Sequence, residues 1–255
     1  MSGKIGWLAV AAACGWSVMA AEPTGVTSPD GRLALAFACD NGRVSYSLRA
    51  DGKALIQASP VGYEGGMLAG VTRRSADAVW TPIWGKRASV PERYNEVTLD
   101  LTTYRLVARA YDDGVAFRCL GGAGAERTCF AFAGDYTAWF YNGEHHNLGP
   151  ATLSESDGRR MPPMTVKAAD DAYLAVLEAD LGNGDPLALQ TKKGETAFGV
   201  ASKPSEAWRV LLFGRTPGAM LDSHLIELLN PPPAEGLDFS WVKPGVAVWD
   251  WRING

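Results

Sequence analysis

Histidine and cysteine are scarce in this sequence, with three of the first and four of the second in 255 residues. His145 and His146 are sequence neighbours, so in a strand they would point to opposite faces and could not share a substrate. His224 stands alone. A sandwich-type sugar epimerase needs a convergent acid and base, commonly His with a carboxylate, and this supply is poor. No Cys-x-x-Cys spacing, His-Glu-x-x-His, mature-chain Gly-x-Ser-x-Gly or phosphate-binding glycine loop is present. Those absences exclude the easily read enzyme classes. They leave carboxylate-based glycosidases, which have no compact signature. There is no concentrated Lys/Arg patch, and a net charge of -4 argues against nucleic acid and anionic membranes as partners. Repeats, low-complexity tracts and interdomain linkers are also missing. The one long apolar run falls short of the roughly 20 residues a spanning helix needs.

That run lies at the start. Lys4 supplies a positive n-region, Ile5 to Val18 a mostly apolar h-region, and Val18-Met19-Ala20 the small residues of a cleavage site. The pattern predicts a signal peptide over residues 1–20 and a periplasmic or secreted protein. Cys14 leaves with it, and Cys39, Cys119 and Cys129 remain. The glycine-rich stretch from Gly121 to Glu126 reads as a hairpin connection. An oxidising compartment would then allow a Cys119–Cys129 bridge, with Cys39 a buried thiol.

Hydrophobic content of 47% and charge content of 20% describe an ordinary folded chain. Leu33, Leu35 and Phe37 alternate as a half-buried strand. Asp40-Asn41-Gly42 is a hairpin signal, and Val44 to Leu48 returns. Short strands separated by Gly/Asp/Asn turns continue to Phe213. One helix is expected, about Pro217 to Leu229, between a first-turn proline and the run Pro231-Pro232-Pro233. The predicted fold is all-β, a large two-sheet sandwich with at most one short helix.

Three stretches could carry chemistry. Tyr173 to Asp180 is an apolar strand ending in Glu178 and Asp180, which strand alternation would place on one face as oxygen ligands for a hard cation. Calcium wants 6–8 oxygens, so the pair could supply only part of a shell. Trp80, Trp84, Tyr136, Trp139, Phe140 and Tyr141 sit near loops, where indole and phenol faces can stack on sugars, although core packing is the commoner fate. Near the C-terminus, a Pro244-Gly245 turn leads an apolar run into Trp249-Asp250-Trp251, a carboxylate held between two indoles at a strand end. In parallel barrels such strand ends carry the working residues.

Several stretches together resemble the N-terminal domain of glycoside hydrolase family 97. They are Ser28-Pro29-Asp30-Gly31, the Asp40-Asn41-Gly42-Arg43 hairpin, Tyr94-Asn95-Glu96, and Tyr111-Asp112-Asp113-Gly114-Val115-Ala116-Phe117-Arg118. Leu177-Glu178-Ala179-Asp180-Leu181, Ala207-Trp208-Arg209-Val210 and Trp241-Val242-Lys243-Pro244-Gly245 with Trp249-Asp250-Trp251 complete the set. No single stretch is specific, but their order covers nearly the whole mature chain.

The resemblance implies a β-supersandwich over residues 24–246, followed at 247–255 by a stub of the first strand of a (β/α)₈ barrel. It implies a calcium-dependent, exo-acting α-glucosidase or α-galactosidase of the periplasm, acting on α-linked oligosaccharides. Glu178 is the position matching the one glutamate this domain lends to the calcium, and Trp139 and Asp250 are the expected sugar contacts. The family's reacting carboxylates lie in the barrel, which needs about 250 further residues. Four residues follow Trp251. The isolated chain is therefore expected to be inactive, with a sticky edge at 246–251, as either a truncated glycosidase or one half of a split enzyme whose barrel is separately encoded. The alternative is a stand-alone secreted carbohydrate-binding module using the aromatic loops.

Overall fold

The computed structural model describes residues 24–83, 85–141, 147–182, 184–243 and 245–247. The expected signal peptide, Trp84, His145, His146 and Asp250 lie outside them. The chain first builds a four-stranded antiparallel sheet from β1 (Thr24–Thr27), β2 (Leu33–Asp40), β3 (Arg43–Ala50) and β4 (Lys53–Pro60). The β2–β3 hairpin turns where Asn41 and Gly42 both take positive φ, 47° and 76°. An Asn-Gly pair tolerates that backbone best, which is why the signal is readable.

Long strands then form the second sheet. They are β5 (Leu68–Trp80), β6 (Val90–Leu101), β7 (Arg105–Tyr111) and β8 (Gly114–Leu120), followed by β9 (Cys129–Ala131), β10 (Thr137–Tyr141), β11 (Leu148–Thr152) and β12 (Gly158–Ala169). After these come β13 (Ala172–Ala179), β14 (Leu189–Thr191), β15 (Ala197–Val200) and β16 (Trp208–Gly214). Their order across the sheet is β5-β6-β7-β8-β16-β13-β12-β14-β15-β9, with β10 paired to β11 and β12. The fold is the expected all-β sandwich.

Between the sheets lies the larger core, in which Leu33, Leu35, Phe37, Tyr46 and Leu48 meet Val97, Leu99, Phe117, Val176 and Leu211. Each large side chain so buried stabilises the fold by about 1.5–3 kcal/mol. A second core sits on the outer face of the large sheet, where Tyr94, Tyr111, Ala116, Trp208 and Val210 lie under Leu225 and Leu229. The period-2 alternation of β16 feeds both layers: Trp208, Val210 and Leu212 face outward, Leu211 and Phe213 inward.

Two expectations need correction. The single helix is split into α1 (Pro217–Asp222) and α2 (Leu225–Leu229). Ser223 takes an extended backbone between them, donating its hydroxyl to Asp113 Oδ2 at 2.6 Å and accepting from the Leu225 amide at 3.1 Å. A side chain that bonds across to the sheet and takes the amide two residues on competes with continuing the first helix. The hairpin joining Cys119 to Cys129 does not form either. β16 inserts beside β8, β9 pairs with β15, and Cys39, Cys119 and Cys129 are all free thiols. Burial, with Glu126 nearby, pushes the Cys119 thiol well above its ordinary range.

Candidate functional site

Glu178 and Asp180 stand at the end of β13, but not as a pair. Glu178 follows Leu174 and Val176 on the inward face, and its Oε2 accepts from the Leu187 amide at 2.8 Å. The backbone leaves strand geometry at Asp180, whose φ is 51°. Its carboxylate turns outward to Arg118 Nη1 at 2.9 Å, and its amide donates to Asn230 Oδ1 at 3.0 Å. The expectation of two carboxylates on one face is overturned by that one left-handed residue. Among the described residues no group of three His, Cys, Asp or Glu side chains converges on a metal position. Glu178 is thus a single carboxylate on the inward face, and Asp180 is committed to Arg118.

Opposite Glu178 in register is Arg209, 2% exposed and ion-paired with Glu126 at 2.6 Å. Burying both charges is tolerable only because two hydrogen bonds join them, from Nε and Nη2. This clamp pins the glycine-rich loop after β8 across the end of the large sheet. Trp139 lies in β10 opposite Thr165 and is half-buried; its Cδ1 would stand 3.1 Å from a Cβ placed on Gly149. Asp250 lies outside the described residues, and of the expected site residues the structure places Trp139 on β10 and Glu178 on β13.

The outer face of the large sheet carries a polar ladder that spacing alone did not reveal. Glu96 on β6 accepts from Arg74 on β5 at 2.8 Å and from Arg109 on β7 at 2.7 Å. Arg109 lies 4.4 Å from the Tyr94 ring centre and 5.0 Å from that of Trp208; Arg118 covers Trp208 at 4.5 Å. Guanidinium groups over aromatic faces retain attraction while leaving water.

Three segments meet beside this ladder around a cleft of about 620 Å³: the β5–β6 connection, the β7–β8 turn and the α1–α2 junction. Lys86 Nζ donates to the Leu221 and Ser223 carbonyls at 2.7 and 2.8 Å, and Arg87 pairs with Asp222, tying the connection to the junction. In the turn, Asp112 accepts from the Asp30 amide at 2.9 Å and from Arg93 at 2.8 Å. Asp113 holds Ser223, and burial raises its carboxyl above the ordinary range. Burial likewise pushes Tyr111 up to about 12. The Tyr-Asp-Asp-Gly stretch is thus a clamp between strands and helices. His224, set aside from the sequence as solitary, is 9% exposed and lines this cleft. The turn motif was the only signal pointing there, and three-segment convergence is not written in spacing.

With this geometry in view, known proteins supply the comparison. A family model described as the glycosyl-hydrolase 97 N-terminal domain matches residues 26–232. A retaining alpha-galactosidase from Bacteroides thetaiotaomicron is 23% identical over 97% of this chain and 47% of its own length. A probable retaining alpha-galactosidase from Streptomyces bingchenggensis is 26% identical over 94% of this chain and 42% of its own. Among solved structures, a glycoside hydrolase family 97 enzyme from Pseudoalteromonas in complex with acarbose superposes with a TM-score of 0.74 at 27% identity, covering 87% of this chain and 40% of that one. A beta-arabinopyranosidase shares the fold at a TM-score of 0.63 and 21% identity. The chain spans less than half the length of these relatives. By its sequence, two sheets and outer helices, it belongs to the glycosyl-hydrolase 97 N-terminal family.

Proposed function

We propose that this chain is the sandwich part of an exo-acting α-glycosidase of α-galactosidase or α-glucosidase type, exported to the periplasm or beyond, that supports a barrel carrying the reacting carboxylates. The observation that carries the reading is the family match across both sheets, residues 26–232. Relatives named as alpha-galactosidases and an acarbose-bound family member support α-linked oligosaccharides as the substrate class. That those relatives are more than twice as long as the matched part leaves room in them for the barrel this reading calls for.

Calcium belongs to the same proposal. Glu178 would give it one carboxylate oxygen, with the Leu187 amide fixing the other oxygen and so the carboxylate's direction. The remaining ligands of a 6–8-oxygen shell would come from the barrel. Such an ion would supply a fixed positive charge beside the sugar, and this chain's share is to hold Glu178 in place from β13.

Captured from its source cells, the protein is expected to bring calcium-dependent α-galactosidase or α-glucosidase activity with it. Purified as the 255-residue chain, it is expected to release no chromophore from nitrophenyl α-galactoside or α-glucoside. Turnover by that pure chain would overturn the reading, because it would put the reacting groups in the sandwich. Capture without activity would overturn it from the other side.

A further inference from the structure

The cleft beside the polar ladder has a feature that its structural role does not use. His224 is more than nine-tenths buried, yet among the described residues its imidazole makes no hydrogen bond. Its ring nitrogens are not among the sealed, unpartnered atoms, so they open into the cleft they line. An imidazole that is buried elsewhere and open only to the cleft presents its bonding capacity to whatever enters there. The neighbours fix what kind of ligand it would be. Arg87 and Arg93 are committed to Asp222 and Asp112, and Asp113 to Ser223, so no free cation waits for an anion. Among the described residues no three metal-binding side chains converge, so the cleft lining offers no such ligand set. What remains uncommitted is the His224 imidazole, which offers one donor and one acceptor when neutral, the Tyr111 hydroxyl proton, and the exposed Asp77 carboxylate. Paired donors and acceptors at short range match the vicinal hydroxyls of a sugar. Val90, Pro91 and Leu228 give the lining an apolar side, and from outside it Trp80 meets the His224 ring edge to face, centres 6.4 Å apart, which fixes how the imidazole is presented. A volume of about 620 Å³ is ample for one or two sugar residues.

We propose that the cleft formed by the β5–β6 connection, the β7–β8 turn and the α1–α2 junction binds a neutral sugar residue, with His224 bonding its hydroxyls and Trp80 holding the imidazole in place. The site lies wholly on this chain and needs no barrel. The choice of α-linked probes rests on the function proposed above; the existence of the site does not.

The test is a proton NMR titration of the 255-residue chain with maltose and, separately, melibiose, reading the imidazole ring signals. The chain has three histidines, so His224→Gln identifies the signal by its loss, and His145 and His146 serve as internal references. The expected result is a saturable shift of the His224 signal with either disaccharide, and none with glycerol at equal concentration. Trp80→Ala should weaken the binding by about tenfold, because it releases the imidazole that the indole holds edge to face. The shifts themselves are read on the unaltered chain, and His224→Gln serves only to assign the signal. A silent His224 signal with both sugars overturns the proposal. So does a shift that never saturates or that glycerol reproduces, or a Trp80→Ala chain that folds and binds as before. Failure here is read in the pure chain, and failure of the proposed function in captured activity, so the two are told apart.

Discussion

Glu96 holds two arginines on one carboxylate, and that arrangement has a pH signature. Burial pushes its carboxyl upward, but hydrogen bonds from Arg74 and Arg109 and their charges outweigh it and hold it below the ordinary 4.5. A carboxyl more acidic in the folded than in the unfolded chain contributes stability above 4.5, and that stability is lost as pH falls through the lower folded value. Glu96→Gln keeps the shape and removes the charge. It should cost about 1.5–3 kcal/mol at neutral pH, the worth of charge-assisted hydrogen bonds, with the exposed half of Arg74 drawing it toward the lower end. Urea unfolding across an acid series should show the two proteins converging as pH drops below the glutamate range. Parallel curves would mean the ladder does not titrate with folding.

Among the elements, alternation made the strands legible, and backbone exceptions hid the site. β2 and β3 follow directly from Leu33, Leu35, Phe37 and an Asn-Gly turn, since inward residues recur every second position. The same rule misplaced Asp180, because a single left-handed residue turns its carboxylate to Arg118 on the other side of the sheet. The glycine-rich stretch likewise suggested a hairpin from Cys119 to Cys129, where β16, whose residues lie more than ninety positions beyond their partners, takes the place beside β8. Non-local insertion of that sort has no local sequence mark. The break at Ser223 is likewise set by Asp113, a partner 110 residues away. Gly114, next to that aspartate, tests whether α2 is seated as described. A Cβ there would lie 2.6 Å from Leu225 Cδ2, 2.8 Å from the Leu211 carbonyl oxygen and 3.1 Å from Leu212 Cα. The leucine end can swing aside, but the two β16 backbone atoms cannot. Gly114→Ala should therefore destabilise the protein by about 1–3 kcal/mol through overpacking. Unchanged denaturant midpoints would mean that β8, β16 and α2 are more loosely joined than these distances require.

At the scale of the whole molecule, two sheets and the outer helices close a continuous pair of cores, and the chain beyond Asn230 takes little part in them. Residues 231–243 and 245–247 form no strand or helix and are exposed throughout, Trp241 at 76% and Leu237 at 60%. Apolar side chains in that state contribute nothing to the sandwich, because burial is what stabilises. They also lie in backbone that a protease can accept without unfolding anything. Chymotrypsin, which favours large apolar and aromatic positions, should therefore cut first near Leu237, Phe239 and Trp241. It should leave the strands from Thr24 to Gly214 and the two helices intact. The retained fragment should unfold at the same temperature as the full chain, since α2 ends at Leu229 and Asn230 still reaches the Asp180 amide. Mass spectrometry of early digestion products and a melting curve of the fragment decide the matter. Early cuts inside the β5–β6 connection, or a fragment that melts lower, would show that the segment after Asn230 braces the sandwich rather than trailing from it.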